Sequence, residues 1–163
     1  MIRPAITADC INLAALSIQV WLNSYARDGL RNGLSEYVLN TFSQKHFEQL
    51  LSRQDYQILV YEQQEHLLGF IALDLKSQFE TAENGYEVDT LYVQNRHQGK
   101  GVGRQLLQAA CNSHGKNYWL TTWVGNLEGL SFYQHLGFKD IGEYFFELEG
   151  EQHENRVLAF KGK

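Results

Sequence analysis

Long apolar runs are missing from this chain. No stretch approaches the ~18 apolar residues of a membrane-spanning helix, and the start, MIRPAITADC, has no continuous apolar segment of the signal-peptide kind. Neither a membrane partner nor export is therefore expected. Proline occurs once, at Pro4, which excludes proline-rich linkers. Cysteine occurs twice, as Cys10 and Cys111, with no CxxC or metal-ligand spacing. The expectation is two reduced thiols on helices of a cytoplasmic protein. An excess of positive charge is also absent. Nineteen acids against fourteen bases give a formal net charge of −5, a poor match to the basic face that nucleic acid requires. The histidines (His46, His66, His97, His114, His135 and His153) are scattered and form no HExxH, so no metal site is expected. No GxSxG of a serine hydrolase occurs.

What remains is ordinary globular material. Hydrophobic residues make up 44% and aromatics 13% of 163 residues. At roughly 150 residues per domain, that is one domain, residues 1–163, with one full core. Pattern and punctuation predict a short strand at Ile2–Ala5, then a helix capped by Thr7 and running to about Tyr25. Its expected apolar face is Ile11, Ala15, Ile18, Leu22 and Tyr25. Asp28–Ser35 reads as a loop, and Ser43 as the cap of a second helix to about Arg53. Tyr56–Glu62 and Leu67–Asp74 read as a hairpin, Tyr86–Val93 as a third long strand, and Gly101–Gly115 as a helix. Asn117–Val124 is an almost unbroken aromatic and branched run, as in a central strand. Leu127–Leu136 is a short helix stopped by Gly137. Lys139–Glu147 and Asn155–Phe160 form a last pair around the acidic turn Leu148–Glu154. The expected fold is mixed α/β, one central sheet with helices on both faces.

The most informative stretch is Val93-Gln94-Asn95-Arg96-His97-Gln98-Gly99-Lys100-Gly101-Val102-Gly103-Arg104, between a strand and a helix. Glycines at alternate positions allow a tight turn that bares backbone N–H groups. The helix start adds unpaired donors and a positive dipole end, which together suit a pyrophosphate. Lys100 and Arg104 add charge beside it. A plain glycine turn without a ligand is the alternative. A Rossmann fingerprint does not fit: Arg104 stands where its third glycine belongs, and the next strand ends Thr122-Trp123-Val124 without an acid.

Arg96-His97-Gln98-Gly99-Lys100-Gly101 resembles the (Arg/Gln)-x-x-Gly-x-(Gly/Ala) acetyl-CoA loop of the GCN5-related N-acetyltransferase (GNAT) family. Further segments are similar in the same order. Glu87-Val88-Asp89-Thr90-Leu91-Tyr92-Val93 resembles the strand before that loop, Gly69-Phe70-Ile71 the third strand, and Trp21-Leu22-Asn23-Ser24-Tyr25 the end of the first helix. Asn126 to Tyr133 with Gly137-Phe138 resembles the family's Asn-x-x-Ala-x-x-Phe-Tyr-x-x-x-Gly-Phe, with Gly129 in place of alanine. The stretch from Trp119 to Phe138, followed by Tyr144-Phe145-Phe146, is similar to bacterial spermidine/spermine acetyltransferases of the family.

The resemblance implies a GNAT-like acyl-CoA N-acyltransferase fold and acetyl transfer from acetyl-CoA to a small-molecule amine, with no metal. It implies that Gln98, Gly99, Lys100, Gly101, Val102, Gly103 and Arg104 hold the cofactor. Backbone groups of Leu91, Tyr92 and Val93 would pair with its pantetheine arm, and Asn126 would bond that arm or cap the following helix. Tyr133 would protonate the leaving thiolate; a core tyrosine beside Phe132 is the alternative. Glu87 matches the glutamate base of the histone-acetylating branch, with Asp89 or a water relay as alternatives. Asp89 shares Glu87's face of the strand unless a bulge intervenes.

Trp21, Tyr25, Asp89, Tyr144 and Phe146 are the expected acceptor residues, since aromatic faces suit cations. Two acidic clusters, Glu143–Glu154 and Glu80–Asp89, would steer a polycation; a solvated hairpin tip and loop is the alternative. A protein N-terminus, a lysine side chain and an amine antibiotic are the other acceptors within the enzyme class. A non-catalytic acetyl-CoA sensor is the reading from a different class. A homodimer is a further expectation from the resemblance and the aromatic-rich surface.

Overall fold

Alternating apolar residues and polar turns settle into one mixed sheet in this computed structural model, which describes residues 1–162. Its strands are β1 (Ile2–Pro4), β2 (Tyr56–Gln63), β3 (His66–Asp74), β4 (Tyr86–Val93), β5 (Asn117–Trp123), β6 (Lys139–Leu148) and β7 (Glu151–Lys161). Their order across the sheet is β1-β2-β3-β4-β5-β7-β6. Every pairing is antiparallel except β4 with β5. The helices are α1 (Cys10–Tyr25), α2 (Asn32–Thr41), α3 (Gln44–Leu51), α4 (Val102–His114) and α5 (Leu127–His135). Among the described residues, no helix is long and apolar enough to cross a membrane.

The two faces carry different cores. On one, Val102, Leu106, Leu107 and Ala110 of α4 and Tyr133 of α5 pack over Ile71, Val88, Leu120 and Leu158. On the other, Cys10, Leu13, Ala14 and Leu16 of α1 and Phe47 of α3 pack over Ile58, Val60, Phe70 and Ala72. Ser43 caps α3, accepting from the His46 amide at 3.1 Å, and Gly137 follows α5 with φ +94°, a helix stop that favours glycine.

Four expectations are corrected. The buried face of α1 is Leu13, Ala14, Leu16 and Ser17, while Ile11 is 59% exposed. The helix turns Ile18, Trp21, Leu22 and Tyr25 toward a separate cluster. Thr7 is not the cap of α1. A 3-10 turn, Thr7–Asp9, precedes the helix, and the Asp9 carboxylate accepts from the Ile6 amide at 2.8 Å. The stretch from Asn32, expected as loop to Ser35, is helical because Leu34 and Val38, one turn apart, bury against Leu148. Gly33 lets α2 approach closely, since a Cβ there would lie 2.2 Å from the Glu149 carboxylate. Finally, Leu148–Glu154 is not a long turn. Glu149 and Gly150, at φ 53° and 77°, make a two-residue hairpin turn, and β7 begins at Glu151.

Candidate active site

β4 and β5 touch as paired strands only at Tyr86–Tyr118 and Glu87–Trp119. Beyond those pairs β4 stays with β3 and β5 stays with β7, so the sheet opens between them. The opening is a cleft of about 1260 Å³, lined by Val88–Val93 on one side and Leu120–Trp123 on the other. The cleft-facing edge of β4 beyond Glu87 thus has no partner strand among the described residues, and its backbone donors and acceptors are available to a ligand.

On the α4 face the lining is built from two local segments. Gln94 opens the loop after β4, accepting from the Arg96 amide at 3.0 Å, and Gln98 donates back to the Val93 carbonyl at 3.1 Å. Gly99 and Gly101 have φ +73° and +86°, left-handed values that a side chain would strain. Gly101 is the N-cap of α4, so the first amides of that helix open onto the loop. A Cβ on Gly103 would lie 3.4 Å from Phe132, so α4 and α5 pack closely here. Tyr133 is 9% exposed and lines the cleft. Its ring lies 5.1 Å from both Phe132 and Phe138. Burial pushes its phenol well above the ordinary value, so the proton stays on oxygen at neutral pH. Asn126 caps α5, accepting from the Gly129 amide at 3.1 Å. A Cβ on residue 129 would lie 2.3 Å from that side chain, which accounts for glycine where the family pattern has alanine.

The α1 face is built from distant segments. Between Leu73–Val88 and Ala72–Thr90 the β3–β4 register shifts, leaving Asp89 as the extra residue of a bulge. The Asp89 carboxylate accepts from the Tyr56 hydroxyl and lines the cleft. It keeps accessible surface toward the opening, while the protein around it removes enough water to raise its pKa. Glu87 lies behind it, facing Ser77 and Asp74. Desolvation above all, with the Asp89 and Asp74 charges, pushes Glu87 up to about 7 against the lowering bond from Ser77. Over Asp89 stands an aromatic wall. Trp21 donates to the Tyr92 hydroxyl at 2.8 Å and stacks on Tyr25 at 4.8 Å. Tyr25 in turn stacks on Trp123 at 4.9 Å, and Phe146 meets Trp21 edge-on at 5.7 Å.

Trp21, Tyr25, Asp89, Tyr144 and Phe146 therefore meet at one cleft, as do Leu91, Tyr92, Val93, Gln98, Gly99, Gly101, Gly103, Arg104, Asn126 and Tyr133. Three expected residues stand apart. Glu87 and Lys100 do not line the cleft, and the Val102 side chain is 5% exposed in the core, leaving only its backbone to the loop. Tyr92 turns its ring to the α1 face, away from Leu91 and Val93. The hairpin glutamates do not line the cleft either, and Arg156 faces two of them, Glu143 at 3.6 Å and Glu154 at 3.9 Å. Sequence reasoning missed Arg27, Thr90 and Trp123 as site residues. Only Trp123 left a signal, because it falls on the same strand face as Trp119, four residues earlier.

Known proteins share this fold. The model of the Acetyltransferase (GNAT) family matches residues 19–138. An uncharacterized N-acetyltransferase from the pepI 3′ region of Lactobacillus delbrueckii subsp. lactis is 20% identical over 157 residues, 92% of this chain and 90% of that protein. The spermine/spermidine N(1)-acetyltransferase of Bacillus subtilis is 30% identical over 90 residues, 51% of this chain and 59% of that protein. The PaiA N-acetyltransferase of Thermoplasma acidophilum, solved in complex with coenzyme A, has the same fold, with a TM-score of 0.74 at 21% identity over 96% of each chain. The match spans the splayed strands, the glycine loop and the Asn126–Phe138 segment alike, and the chain belongs to the GNAT family as an N-acetyltransferase.

Proposed function

We propose that the chain moves an acetyl group from acetyl-CoA to a primary amine, which meets it from the α1 face. The observation that carries this reading is the opening between β4 and β5, with the glycine loop on one face and Asp89 on the other. The residues present fit the cofactor: Gln98–Arg104 offer backbone amides and the Arg104 charge to a pyrophosphate, and Leu91–Val93 offer a free strand edge to the pantetheine amides. When bound, the cofactor supplies a thioester carbonyl, which a backbone N–H of Leu91–Val93 would polarise. Asp89 would hold the ammonium. Glu87, poised near 7, would take its proton through a water, since it lies behind Asp89 rather than in the cleft. As the amine nitrogen bonds the acetyl carbon and the carbon–sulfur bond breaks, Tyr133 would give its proton to the thiolate. Its side chain lines the cleft.

A polyamine acceptor is the second reading, supported by the partial match to the Bacillus subtilis enzyme. That Asp89 is the one carboxylate that α1 and the strands contribute to the cleft lining weighs against it. Thiol release from acetyl-CoA over a panel of amines tests the proposal. Release stimulated by a primary amine is expected; binding of acetyl-CoA with no release by any amine would overturn acetyl transfer.

A further inference from the structure

The cleft carries a guanidinium that the cofactor loop does not supply. Arg27, just beyond α1, lines it and pairs with no carboxylate among the described residues. The side chain is nonetheless held. It donates to the Gly125 carbonyl at 3.1 Å, and its guanidinium lies 5.3 Å from the centre of the Trp123 ring. That stack depends on glycine, because a Cβ on Gly125 would lie 2.4 Å from the Trp123 ring. An arginine pinned by one edge and one face keeps the rest of its planar fork free for an anion.

Arg27 is on the same face as Asp89. Trp123 alternates with Leu120 and Thr122 along β5 and stacks on Tyr25, which continues through Trp21 to Tyr92 beside Asp89. The other charged groups of the lining are Arg104, on α4, and Glu128, in the first turn of α5. The α1 face therefore runs from a carboxylate, along stacked rings, to a guanidinium. A polyamine would bring its second ammonium toward Arg27, and among the described residues the only carboxylate of the cleft lining besides Asp89 is Glu128 on α5.

We infer that the acceptor is an amine that also bears an anionic group. This inference rests on the acetyl-transfer reading above and deepens it. The ammonium meets Asp89, an apolar or aromatic body lies along Trp21, Tyr25 and Trp123, and a carboxylate or similar anion meets Arg27.

The test holds the amine and its body constant and changes the far end: ε-aminocaproate, hexylamine and hexamethylenediamine, with spermidine as the polycation. Turnover is read as kcat/KM, and binding by calorimetry on the chain loaded with coenzyme A. The expected order in both is carboxylate, then neutral, then diamine, spanning about tenfold or more. Arg27→Glu should reverse the order, and Arg27→Gln, which keeps the donor to Gly125, should compress it. Preference of the parent for hexamethylenediamine or spermidine overturns the inference, as does an order unchanged in both variants. Turnover in the wrong order leaves acetyl transfer standing and overturns this inference alone. Silence with all four amines, acetyl-CoA still binding, overturns both.

Discussion

The two faces of the opening between β4 and β5 are built by different means. The α4 face is assembled from Leu91–Arg104 and Asn126–Tyr133, two continuous segments that present backbone amides, positive-φ glycines and a helix start to the cleft. The α1 face gathers Trp21, Tyr25 and Arg27 from around the end of α1, Asp89 from a bulge, Trp123 from β5 and Phe146 from β6. Most of its contacts, such as Tyr25 with Trp123 and Trp21 with Phe146, join side chains far apart in the chain. A site made of local backbone tolerates side-chain change nearly everywhere except at its glycines. A site made of long-range side-chain contacts can be retuned one residue at a time, which suits an enzyme class whose members share a donor and differ in acceptor.

The comparison breaks most sharply at Tyr133. Tyr133→Phe removes a hydroxyl and leaves the ring contacts, so turnover should fall about 10²–10⁴-fold while acetyl-CoA affinity stays within a few-fold. Turnover within a few-fold of parent would remove this residue from the chemistry. Next is Gly101, at φ +86°. Gly101→Val strains the loop and blocks close approach, so acetyl-CoA affinity measured by calorimetry should drop about tenfold or more. Amine-series discrimination, a property of the other face, should persist at saturating cofactor. Unaltered acetyl-CoA binding by a folded variant would break the loop assignment.

Acidity behind the α1 face gives a smaller, signed effect. With Glu87 raised from 4.5 to about 7, the folded chain keeps a proton that the unfolded chain releases between those values. The contribution is full below about 4.5 and is lost as pH rises through about 7. Glu87→Gln should therefore gain stability relative to parent between about pH 5 and about pH 8, by on the order of 2 kcal/mol in urea unfolding. Parallel stability curves for the two proteins would show that Glu87 titrates normally. If Glu87 takes the amine's proton, the rise of kcat/KM through about pH 7 should also disappear in this variant.

The smallest effect sharpens the view of the α4 face. Gly129→Ala puts a Cβ into the space of the Asn126 cap and should cost about 1 kcal/mol of stability. It frees the Asn126 side chain toward the cleft, so acetyl-CoA affinity should hold or improve. Weaker binding would mean that Asn126 serves the cofactor from its capping position.

The chain order of residues was enough to read the strands, the loop from Gln98 to Arg104, the Asn126–Phe138 segment and the family they resemble. These signals are local: a glycine forced to positive φ, a cap three residues from its amide, a helix following a strand. Even the aromatic residues Trp21, Tyr25, Tyr144 and Phe146, which line the cleft, could be named. Their arrangement could not. The bulge at Asp89 depends on how β3 pairs with β4, and it is what sets Asp89 in the cleft and Glu87 behind it. Helix α2 forms because Leu34 and Val38 find Leu148, more than a hundred residues later. Arg27 is held at the cleft only when Trp123 and Gly125 arrive beside it. Local sequence dictates backbone conformation and hydrogen bonding within a few residues. Which side chains share a cleft is decided by packing across the sheet, where burial and close approach outweigh local preference.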